Sequence, residues 1–159
     1  MKKLLFLFCL LSWSVLHAQK TINRPPFIAK ATETIEIAAI HLSDTATVVD
    51  VDAKFIPKNW IRIAPATCLV ADNGERYQVR QGVGIELGQE FWMPESGEAT
   101  FSLIFPPLPA SVKSFDFVEG EGERDFNLFG ISLIGKLPKL QLPKDLGKAG
   151  KATGDVFAP

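Results

Sequence analysis

Between Phe91 and Leu133 the chain alternates apolar and polar residues in three bursts, and the segments between the bursts admit no helix. Phe101, Leu103 and Phe105 carry the first burst, Phe115 and Phe117 the second, and Phe129, Ile131 and Leu133 the third. A period of two marks strands with one buried face. Pro106, Pro107 and Pro109 follow the first burst, and a Gly/Glu-rich turn from Glu119 to Glu123 follows the second. Proline lacks the amide hydrogen a helix needs, and clustered glycine leaves the backbone too free to propagate one. The stretch predicts three strands of an antiparallel sheet whose aromatic face meets a second layer.

The preceding residues follow the same rule. Ile35 and Ile37 are followed by Ile40 and Leu42, a slip of one around Ala38 and Ala39 that predicts a β-bulge; the β-branched content disfavours a short helix there. Thr45 to Phe55 alternates, with Thr47, Val49, Val51, Ala53 and Phe55 on one side. In WIRI, Ile61 and Ile63 face one way while Trp60 and Arg62 face the other. Asp72, Asn73 and Gly74 form the turn of a hairpin, since Asn-Gly tolerates positive φ. Gly82, Gly84 and Gly88 space a loop or irregular strand, and Pro94 to Gly97 makes a turn. These bursts amount to about seven to nine short strands, the pattern of an all-β, antiparallel β-sandwich.

Compartment is read from the first residues. Lys2 and Lys3 precede an apolar run from Leu4 to Leu11, with a small residue at Ala18, which is the pattern of a signal peptide. The run is shorter than the roughly 20 residues a membrane-spanning helix needs, so no span is expected after cleavage at Ala18. Three segments follow: a leader at 1–18, a sandwich domain at 19–135, and a Lys/Pro/Gly-rich linker or flexible tail at 136–159. The expected location is the periplasm or cell envelope. One cysteine, Cys68, remains after the leader, so the domain is held by packing rather than by an internal disulfide. Residues 19–135 carry ten Lys plus Arg against sixteen Asp plus Glu. An acidic body argues against nucleic acid, whose phosphates bind through cations.

Little of the chemistry of catalysis is available. A triad needs nucleophile, base and acid in contact, and only His41 remains as a histidine after the leader. Its plain reading is a surface or packing residue. Cys68 has no CxxC partner and reads as a small buried hydrophobe. The glycines at 82, 84 and 88 are misspaced for a phosphate loop. No cofactor is expected, and one Cys with one His does not make a zinc site. Asp116, Glu119, Glu121, Glu123 and Asp125 supply hard oxygens of the kind calcium takes, but without EF-hand spacing, so a solvated acidic turn is the plainer reading. The candidate binding surface is aromatic: Trp60, Phe91 and Trp92 fall at strand ends or in a loop, where exposed rings would stack on a sugar or dock a partner. The preferred reading is that these rings cap the open end of the sandwich by burial.

The segments EFWMPESGEATFSLIFPPLPASVKSFDFVEG, FGISL, NWIRI and DNGERYQV resemble the N-terminal Ig-like module of secreted bacterial proteins that carry a thioredoxin-like thiol-disulfide oxidoreductase domain further along. The resemblance spans Thr21 to about Pro143. It implies an Ig-like sandwich acting as a non-enzymatic scaffold or docking module beside envelope redox machinery, alone or with a C-terminal thioredoxin-like domain. The activity of those proteins resides in a CxxC-bearing domain, so no catalytic residue carries over. The alternative is a free-standing module that binds surface glycan or protein through its exposed aromatics.

Overall fold

The computed structural model describes residues 19–120, 122 and 125–137. These residues form twelve strands and no helix: β1 (Lys20–Asn23), β2 (Ala29–Lys30), β3 (Ile35–Leu42), β4 (Thr47–Lys54), β5 (Trp60–Ile61), β6 (Cys68–Ala71), β7 (Arg76–Gln78), β8 (Gln81–Val83), β9 (Phe91–Trp92), β10 (Glu98–Phe105), β11 (Ser114–Val118) and β12 (Asn127–Ser132). The count exceeds the expected seven to nine because β2, β5 and β9 are two residues long, too short to show a period. All pairings are antiparallel.

The strands make two five-stranded sheets, in the orders β1-β3-β4-β10-β8 and β2-β12-β11-β6-β7, and a separate ribbon, β5-β9. The inner faces meet in one core. Val49, Val51, Leu103 and Phe105 from the first sheet and Leu69, Phe115, Phe117 and Ile131 from the second are all buried in it. Phe105 and Phe117 touch edge to face across the layers, ring centroids 6.4 Å apart, the arrangement the ring quadrupoles favour. Both lateral edges are shared between the sheets. On one side the chain passes from β1 to β2, and on the other from β7 to β8, so that the residues before β3 supply an edge strand to each sheet.

The expected bulge is present: β3 shifts register against β4 between Ile37 and Ala39. The hairpin closes as expected, with Gly74 at φ 86° and its amide donating to Ala71. One face assignment is reversed. Phe129, expected inward with Ile131 and Leu133, is 39% exposed, and Leu128 takes the core position. Gly130, at φ 64°, turns the strand over between them. Its amide donates to Asp116 Oδ1 at 2.7 Å, where β11 shifts register against β12. A Cβ there would stand 2.5 Å from the Ile28 side chain, which would have to shift, and the positive φ strains any other residue. The leader, Glu121, Glu123 and the tail from residue 138 lie outside the described residues.

Candidate functional site

The ribbon closes one end of the sandwich. Trp60 pairs with Trp92 and Ile61 with Phe91. Alternation then sorts the side chains: Ile61, Ile63 and Met93 are buried, and Phe91 packs on Phe101 with ring centroids 6.4 Å apart. The opposite face carries the tryptophans, Trp60 at 42% and Trp92 at 60% exposure. The expected capping role therefore belongs to Phe91 with Ile61 and Met93. The two tryptophans do not cap by burial, because the pleat of so short a ribbon cannot turn both faces inward.

Two turns brace this platform. Ile56 to Asn59 is a turn with Pro57 and Lys58 at its centre, closed by the Asn59 amide donating to Ile56 at 3.1 Å, with Lys58 at φ 63°. A non-glycine residue in the left-handed region costs about 1–2 kcal/mol. The conformation is held from outside: the Lys58 amide donates to Met93 and the Met93 amide to Asn59. Pro94 to Gly97 is the second turn, with Gly97 at φ 70° and its carbonyl accepting the Phe55 amide at 2.9 Å. Lys58 pairs with Glu95 across the turns at 3.0 Å. Phe55 and Ile56, both exposed, extend the apolar surface; alternation puts Phe55 on one side with Ala53, but β4 ends at Lys54 and Phe55 leaves that face.

At the same end of the first sheet lies a groove of about 560 Å³ that sequence reasoning missed. Its lining includes Glu36, Asp52, Lys54, Glu98, Thr34 and Thr100, drawn from three strands and the loop before β3. Each carboxylate of that set is ion-paired: Glu98 with Lys54 at 3.1 Å, Asp52 with Arg24 at 3.3 Å, Glu36 with Lys30 at 3.3 Å. The groove adjoins the platform through the Phe55–Gly97 hydrogen bond, one residue beyond Lys54 and one before Glu98.

The other candidates have structural partners. His41 Nε2 donates to Asp50 Oδ2 at 2.8 Å, and Ser102 Oγ donates to the other oxygen of Asp50 at 2.7 Å. The carboxylate thus sits between serine and imidazole, whereas a nucleophilic triad needs the imidazole in the middle. Burial works to raise the Asp50 pKa, but the hydrogen bonds from Ser102 and His41 outweigh it and hold the group below its ordinary value of 3.8. Cys68 is buried, with Arg76 Nη1 3.5 Å from its sulfur. Of the calcium candidates, Asp116 accepts the Gly130 amide and Asp125 accepts the Gly122 amide at 2.7 Å. Glu119 is buried and accepts amides from Ala64 and Phe126 at 2.7 and 2.8 Å. Burial pushes its pKa up, against those two amides, with Asp125 adding to the rise and Arg62 opposing it. Among the described residues no group of three or more His, Cys, Asp or Glu is placed to hold a metal, and every buried side-chain polar atom has a partner. No described helix is long and apolar enough to cross a membrane.

The chain matches no family model, no curated protein and no solved structure.

Proposed function

We propose that the chain is a non-catalytic recognition module, exported to the periplasm or cell envelope by its leader, that docks through the Trp60–Trp92 face of the ribbon. The observation that carries this reading is the pair of tryptophans set opposite each other and left exposed on a braced surface. Large aromatic rings gain most by burial, and tryptophan is enriched among the residues that dominate binding energy. Rigid backing adds to the case, because a surface ordered before binding loses little entropy on binding.

The position of the platform supports an outward role. Lys20 Nζ donates to the Leu133 carbonyl, and Lys20 pairs with Leu42, so residues 20 and 133 sit at the β3–β4 turn. The ribbon lies beyond the other end of the eight-residue β4, about 23 Å away at 3.3 Å per residue. Lys20 and Leu133 thus lie at the pole opposite the tryptophans. A second reading is docking to thiol-disulfide proteins of the envelope, favoured by the resemblance of the WMPESG turn, which here braces the platform.

Oxidative footprinting tests the docking face. Trp60 and Trp92 should be modified several-fold more slowly in intact envelopes than in the purified protein. Equal rates in both would contradict it.

A further inference from the structure

The geometry points to a neutral oligosaccharide as the ligand, lying along the groove between β3, β4 and β10 with its end stacked on the Trp60–Trp92 platform; this rests on the recognition reading above. Three observations converge on that chemistry.

The first is shape. An open groove of about 560 Å³ falls within the range of ligand sites, roughly 300–1,000 Å³, and adjoins the exposed tryptophans at the same pole. A sugar chain presents ring faces rich in C–H groups and edges rich in hydroxyls. The faces suit an aromatic platform, whose rings are electron-rich on their faces, and the edges suit a polar trough.

The second is charge. Four carboxylates line the groove and all hold cations already: Glu33 and Glu36 share Lys30, Asp52 pairs with Arg24 and Glu98 with Lys54, while Lys58 on the platform is paired with Glu95. An anionic ligand would meet the carboxylates, and a cationic one would have to displace the resident cations. A neutral hydroxyl does neither. It donates to a carboxylate and accepts from the adjacent ammonium, and hydrogen bonds to charged groups are the stronger kind.

The third is hydroxyl and amide supply. Thr34 and Thr100 line the groove, and Asn59 stands beside Trp60 in an exposed turn. Each can both donate and accept, as recognition of an alcohol requires.

Affinity electrophoresis of the full chain, expressed with its leader in place, tests this. The gels would contain neutral polysaccharides (a β-glucan, a mannan, a xylan, dextran) or, for comparison, anionic alginate. The inference expects retardation by at least one neutral polysaccharide and none by alginate. Trp92→Ala should weaken that retardation at least tenfold and Trp92→Phe about threefold or less. Glu36→Gln combined with Thr100→Val should weaken it three- to tenfold, with thermal midpoints unchanged in all three variants. No retardation in any neutral gel would overturn the inference, as would retardation that survives Trp92→Ala. If a photo-crosslinker at position 92 then captured a protein in the envelope, the glycan inference would fall and the recognition reading would stand. If Trp60 and Trp92 were as reactive in the envelope as in solution, both would fall.

Discussion

Glu119 shows most clearly how single residues hold this fold. Its carboxylate is buried and spans two loops, accepting amides from Ala64 after β5 and Phe126 before β12. Removing it leaves two inward-facing amides without acceptors, each worth about 1–3 kcal/mol, so Glu119→Ala should cost about 2–6 kcal/mol in urea unfolding. The pH dependence has the opposite sign to that of a paired surface acid. Burial raises the pKa in the folded state, so the folded chain binds this proton more tightly than the unfolded one. The stability it contributes is full below the ordinary value of 4.5 and falls as pH rises through the folded value. Glu119→Gln cannot titrate. The stability of the wild type relative to Glu119→Gln should therefore decline between pH 4 and neutrality, and a difference constant across that window would contradict the assignment. In the sequence this residue was grouped with its acidic neighbours as a possible calcium ligand. What separates it from them is burial by loops distant in the chain, which no local pattern reports.

At the scale of elements, alternation is legible in β4, β10 and β11, where the strand runs unbroken for five residues or more. Thr47, Val49, Val51 and Ala53 face the core as read, as do Phe101, Leu103 and Phe105, because a period of two fixes the face once one residue is placed. The third burst failed at its first residue for a physical reason: Gly130 adopts positive φ and turns the strand over, and glycine alone does not announce which conformation it takes. The ribbon was half legible. The alternation of WIRI correctly opposed Trp60 to Ile61, but the tryptophans were expected to be buried, since sequence does not reveal that Phe91, Ile61 and Met93 already fill the end of the core. The groove was not legible at all, because residues near 34, 53 and 99 meet only through sheet pairing. The turn from Pro94 to Gly97 was expected and is required. A Cβ on Gly97 would stand 2.5 Å from the Phe55 carbonyl oxygen, in a backbone conformation that already disfavours it. Gly97→Ala should destabilise the protein by about 1–3 kcal/mol and loosen the ribbon. Faster amide exchange at Phe55 and Met93, relative to the core strands, is the expected sign; uniform exchange would place the strain elsewhere.

For the molecule as a whole, the two poles divide the labour. Residues 20 and 133 lie at one, while the exposed tryptophans and the polar groove lie at the other. The core between them is shared by both sheets, and the edge crossings from β1 to β2 and from β7 to β8 leave each sheet continuous with the other at its sides. That shared core gives the platform a rigid base. The docking face requires both tryptophans to be in water, and after the leader they are the only two in the chain. The decisive measurement is acrylamide quenching of tryptophan fluorescence in residues 19–159, made on the single-tryptophan variants Trp60→Phe and Trp92→Phe. The account predicts red-shifted emission and strong quenching from each remaining ring, stronger from Trp92 than from Trp60 in keeping with their exposures. Blue-shifted emission that resists acrylamide in both variants would mean that the rings cap the core, and the pole would then have no platform to offer a ligand.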